Sequence, residues 1–151
     1  KETVFLRKHV GGDYNTPAYI ESWRRVLIER PWLKAWSYTH SWWKPELLPY
    51  LELLRSLPNL QLFASMDLAL LRGDLWHPPR IPPVGWRVAW EDRDEIPEEL
   101  LRSTIDCPEM RKENDPKFLP DCMTCGYCFR NKPSPISIGK YPLSVNFRLH
   151  L

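Results

Sequence analysis

The sequence predicts an α/β fold: a small, mainly parallel sheet or a partial β/α barrel, with a loop-rich four-cysteine lobe at the C-terminus. Three observations predict it. Strand-like and helix-like runs alternate through the first ninety or so residues, which is the pattern of βαβ units and right-handed crossovers. Tryptophans number 8 and prolines 16, the prolines concentrated after His77. All four cysteines fall between Cys107 and Cys128.

The elements follow in order. "TVFLRKHV" (3–10) is rich in β-branched and aromatic residues and predicts a strand. "GGDYNTP" predicts a turn, with Thr16 as helix N-cap and Pro17 at the first helical position. In "AYIESWRRVLIER", Ile20, Trp23, Val26 and Leu27 recur at helical spacing, and Pro31 stops the helix. "LKAWSYT" (33–39) is a second strand. "KPELLPYLELLRSL" (44–57) is a second amphipathic helix with Pro45 and Pro49 near its first turn. "NLQLFASM" (59–66) is a third strand, "DLALLRG" (67–73) a short helix ended by Gly73, and "GWRVAW" (85–90) a fourth strand. "EDRDEIPEELL" is acidic and predicts a short helix. "LSVNFRLHL" (143–151) alternates Val145, Phe147 and Leu149 as a final strand.

The expected organisation is one domain over 1–151, with a βαβ core at 1–90 and a cluster-binding lobe and final strand at 91–151. The chain is 43% hydrophobic and 26% charged, with mean hydropathy −0.45, the composition of a globular protein. No run approaches the roughly eighteen apolar residues of a membrane span, and no signal-peptide pattern opens the chain. Lys1 in place of Met predicts a processed or trimmed product. The net charge of +2, from 21 basic and 19 acidic residues, excludes a polybasic nucleic-acid binder on totals alone.

The cysteine spacing is Cys107-x14-Cys122-x2-Cys125-x2-Cys128. Disulfides would close very tight loops, with no secretory signal or dense cysteine scaffold to support them. Structural zinc would use the same four thiolates, although two separated C-x2-C pairs are its commoner form. An iron–sulfur cube offers four irons at separated corners. The C-x2-C-x2-C run is the ferredoxin-type signature, with a remote cysteine closing the fourth corner. Pro108 directly follows that remote cysteine, and Gly126 lets the backbone come close to inorganic sulfide. The expectation is a [4Fe–4S] cluster on Cys107, Cys122, Cys125 and Cys128, with zinc as the alternative. Four ligands leave no iron open, which argues for electron transfer, redox sensing or a structural role. Radical S-adenosylmethionine enzymes instead carry a triplet near the first strand.

In parallel α/β sheets functional groups gather beyond the carboxyl ends of the strands. Those ends supply His9 and Asp13, then Thr39, His40 and Ser41, then Ser65 and Asp67, which could line one polar pocket. Ser, Thr and Asp also cap helices and turns routinely, the more economical reading of any single one. His77 in a proline-rich loop reads as solvated, and His150 as structural. Trp36, Trp42 and Trp43 with Arg24 and Arg25 could form a basic aromatic surface for single-stranded nucleic acid, or simply core and helix face.

The string "RKHVGGDYNTPAYIESWRRVLIERPWLKAWSYTHSW" (7–42) resembles a family of phage-encoded proteins called gene product 88. The likeness lies in the "HVGGD" turn, the Tyr19-x-x-x-Trp23 helix and the strand ending "YTHS". It continues through the Asn-led "PNLQLFASMD", the cysteine-rich "CPE…CMTCGYCF" and the ending Val145, Phe147, His150. The resemblance implies a viral source, the cytoplasm of an infected host cell and a distant link to β/α-barrel iron–sulfur proteins. It implies no reaction. It also implies further cysteine-containing sequence upstream. The expected partners are a redox partner or nucleic acid, without a membrane. An enzyme using the strand-end pocket is the third function class.

Overall fold

The computed structural model describes residues 2–8, 12–91, 96–98, 104–107, 125–129 and 144–146. Within them six strands form one sheet, in the order β1-β2-β3-β4-β6-β5, and every pairing is parallel. The strands are β1 (Val4–Lys8), β2 (Leu33–Thr39), β3 (Leu60–Met66), β4 (Arg87–Trp90), β5 (Thr104–Asp106) and β6 (Ser144–Asn146). Helices α1 (Pro17–Glu29), α2 (Leu48–Arg55) and α3 (Leu68–Arg72) connect the first four.

Local chemistry explains these boundaries. Thr16 is extended and its side chain accepts from the Tyr19 N–H, while Pro17 occupies the first turn, where no donor is needed. α2 begins at Leu48, later than the expected helix over 44–57. Residues 45–47 form turns, and Pro49 falls in the first turn, where its missing N–H costs no helical bond. A 3-10 turn, Ser41–Trp43, precedes it. Asp67 caps α3 through the Leu70 N–H. Gly73 ends it at φ +69, and a Cβ there would meet backbone atoms of His77, Pro78 and Pro79 at 2.5–2.7 Å.

All seven residues of β3 are buried, as expected of a central parallel strand covered on both faces. Alternation sends Leu60, Leu62, Ala64 and Met66 to one face, where Ile20 and Leu27 of α1, Leu51 and Leu54 of α2, and Leu70 and Leu71 of α3 meet them. Trp86, Val88 and Trp90 complete this core. All three helices therefore lie on one side of the sheet. Gln61, Phe63 and Ser65 point to the other side, where Phe63 joins Ala89, Cys107 and Val145 in a second, smaller core.

β6 inserts between β4 and β5, with Ala89 opposite Val145 and Val145 opposite Ile105. The final strand is thus present over Ser144–Asn146, and residues 147–151 lie outside the described set. The acidic segment expected as a helix falls largely outside it too. β5 was not anticipated, because three residues carry no readable period.

Asn59 joins the first βαβ unit to the second. Its side-chain amide donates to the carbonyls of Leu27 (3.0 Å), Leu33 (2.9 Å) and Arg30 (3.3 Å). Those of Leu27 and Arg30 belong to the end of α1, where no helical donor remains. Asn59→Ala should lower stability by about 1–3 kcal/mol in urea unfolding. Asn59→Asp should cost more, because a carboxylate would face three carbonyl oxygens.

Candidate functional site

The face of the sheet opposite α1, α2 and α3 carries Cys107 and residues 125–129. Alternation places Trp36 and Tyr38 of β2, Gln61 and Phe63 of β3, and Arg87 and Ala89 of β4 on this face. Over them lie Cys107, which directly follows β5, and a 3-10 turn, Tyr127–Phe129. The Phe129 ring sits 4.4 Å from Phe5 and 5.2 Å from Trp36, centroid to centroid. Tyr127 donates its hydroxyl to the Ser144 carbonyl at 3.2 Å. Gly126 has φ +64, so the backbone between Cys125 and Tyr127 adopts a conformation that favours glycine.

Arg87 is only 4% exposed and organises this face. Its guanidinium donates to the carbonyls of Cys128 (3.1 Å) and Tyr127 (3.0 Å) and to Gln61 Oε1 (3.3 Å), and lies 4.2 Å from the Phe63 ring centroid. Burial pulls its pKa down to about 10, against the opposing charges of Cys128, Tyr127 and Tyr38, so it stays cationic at neutral pH. Tyr38 donates to Cys128 Sγ at 3.3 Å. Burial pushes the Cys128 thiol up, the Tyr38 hydrogen bond and Arg87 pull it down, and Cys107 and Cys125 push it up again. Cys128 packs against the small core that holds Cys107. Cys107 is buried, and Cys125 and Cys128 are partly buried. Cys122 lies outside the described residues, and among the described residues no three His, Cys, Asp or Glu side chains are grouped to hold a metal ion.

The strand-end residues separate into different roles. His9 lies outside the described residues. Asp13 accepts from Thr39 Oγ1 (2.5 Å), the His40 N–H (2.8 Å) and the Tyr14 N–H (2.6 Å), and Thr39 Oγ1 accepts from the Ser41 N–H (3.0 Å). One carboxylate thus ties the segment leading into α1 to the end of β2. His40 Nε2 stands 3.7 Å from Glu91 Oε1. Ser65 is on the opposite face from Met66, and Asp67 caps α3 and lines a separate cavity of about 280 Å³ with Trp43, Asp74, His77 and Arg80. His77, read as solvated, is exposed and pairs with Asp74 at 3.1 Å.

The expected basic aromatic surface does not form as a unit. Trp36 and Trp42 are 4% and 3% exposed and serve as core, and Arg24 is paired with Glu21. Trp43 remains 38% exposed, with the Arg80 guanidinium 3.5 Å from its ring centroid. Among the described residues no helix is long and apolar enough to cross a membrane.

Sequence reasoning missed Tyr38, Arg87 and Lys8. The available signal was a charge inside an otherwise strand-like apolar run, as in "VFLRK" and "RVAW". Lys8 ends β1 on the helix side, 4% exposed, with Nζ 3.0 Å from the Tyr14 hydroxyl and 3.6 Å from the Trp23 ring centroid.

Among protein families, the model described as Gene product 88 matches residues 1–131. No curated protein and no solved structure matches the chain.

The burial of Lys8 gives stability a pH dependence. Loss of hydration pulls its ammonium down from 10.5 to about 6. The facing rings favour the cation by up to about 2 kcal/mol each when desolvated, which opposes that shift without cancelling it. Between these two values the unfolded chain holds the proton and the folded chain does not, so stability rises with pH across that window. Lys8→Met should flatten the slope and raise stability at pH 7, as measured by urea unfolding from pH 6 to 10.

Proposed function

The chain belongs to the gene product 88 family, and we propose that it binds a [4Fe–4S] cluster through Cys107, Cys122, Cys125 and Cys128. Its role in this reading is electron transfer or redox sensing, with a redox protein as partner. The observation that supports the reading is that Cys107, buried in the small second core, and Cys128, packed against that core, share the face opposite α1, α2 and α3.

The surroundings suit an anionic sulfur ligand. A bound thiolate has given up its proton, and a buried thiolate needs a donor and a positive charge. Tyr38 supplies the donor and Arg87 the charge. When bound, a four-cysteine cube supplies reversible one-electron chemistry with no iron left open to substrate. Zinc on the same thiolates is the alternative, separable by metal content alone.

Protein purified without oxygen is expected to be brown, with broad absorption near about 400 nm and equal amounts of iron and acid-labile sulfide. Colourless protein carrying zinc would overturn the iron–sulfur reading. Cys122→Ser and Cys128→Ser should each lose the cofactor and lower the thermal midpoint by about 5–10 °C, since metal-binding free energy is folding free energy. Either variant with full metal content and an unchanged midpoint would remove that cysteine from the ligand set.

A further inference from the structure

We propose that Tyr38 and Arg87 are positioning residues that set the electron affinity of the cluster held through Cys128. This inference rests on the cluster reading above and goes one step further, to what governs the site's potential.

The geometry is a single row across the sheet. Tyr38 of β2 is opposite Phe63 of β3, and Phe63 is opposite Arg87 of β4. Phe63 is fully buried between them, its ring 5.2 Å from that of Tyr38 and 4.2 Å from the Arg87 guanidinium carbon. The two polar groups therefore stand on rigid central strands, and Phe63 packs against each. Both reach Cys128, by different atoms. Tyr38 donates to its sulfur at 3.3 Å, and Arg87 donates to its carbonyl at 3.1 Å and to the preceding carbonyl of Tyr127 at 3.0 Å. The guanidinium thus fixes the main chain of the residue whose side chain the phenol holds.

Both contacts act in one direction on redox chemistry. An O–H···S bond draws electron density from the ligand sulfur, and a fixed buried positive charge favours whichever state carries one more electron. A one-electron donor reduces the site with no bond formed or broken, so the extra negative charge is the whole electrostatic change. The row should raise the potential above that of the same cluster without it. A purely structural role for Tyr38 would leave the potential where it is, because Phe keeps the ring that packs on Phe63.

The test is a dithionite-poised redox titration of anaerobically purified full-length protein, read by absorption and electron paramagnetic resonance. Iron and sulfide are counted for every sample. Tyr38→Phe is expected to keep its iron and sulfide and to lower the one-electron equilibrium constant about tenfold, a midpoint about 59 mV more negative. Arg87→Gln should shift the midpoint in the same direction, and if it loses the cluster Tyr38→Phe decides. A Tyr38→Phe midpoint equal to the wild type, with full iron, overturns this inference and leaves the cluster reading standing. Wild-type protein without iron and sulfide overturns the cluster reading, and this inference with it.

Discussion

A fully parallel sheet has two apolar faces, and here α1, α2 and α3 all cover the same one. Phe63, Ala89 and Val145 on the other face would stand in water if nothing lay over them. Among the described residues, Cys107 and the Tyr127–Phe129 turn lie over them. That face is also not purely apolar, since Gln61 and Arg87 are buried within it. A buried guanidinium needs acceptors, and the carbonyls of Tyr127 and Cys128 provide them. The cysteine segment is therefore both the lid on an apolar surface and the hydrogen-bond partner of a buried charge. Cys107 and Cys128 share this face because the same small core takes in both.

The two faces also differ in how they are assembled. The helix side is built from neighbours in sequence, each helix packing beside the strands it connects, with Asn59 tying the first crossover to the next. The other side depends on distant segments. Val88 donates its N–H to the Ser144 hydroxyl, and β6 must enter between β4 and β5 to complete the sheet. Closing such a long loop costs chain entropy. A metal bound by cysteines within it would add its binding free energy to folding. Tyr38 and Arg87 seat that segment directly, through the sulfur of Cys128 and the carbonyls of Tyr127 and Cys128.

Much of the fold was legible because its signals are local. Thr16 and Pro17 start α1 through capping chemistry that needs no tertiary partner, and Leu33–Thr39 reads as a strand from composition alone. Asp67 and Gly73 bracket α3 in the same way. The start of α2 was less legible, since Pro45 and Pro49 both suit a first turn and only the packing of Leu51 and Leu54 chose the later one. Asp13, Thr39 and His40 were visible as a group at the strand ends, and they do form one network. Ser65 and Asp67 were read with them, but alternation turns Ser65 to the other face and the needs of α3 claim Asp67.

By itself the sequence determined the alternation of strands and helices, the caps that bound them and the cysteine spacing that marks one segment as chemically distinct. Those features depend on residues a few positions apart. Only the tertiary structure decided that all three helices share a side, that Trp36 and Trp42 are core, and that Tyr38 and Arg87 stand in register beneath Cys128. Strand order and register bring those residues together across the sheet, and a one-residue slip would have turned each of them to the opposite face.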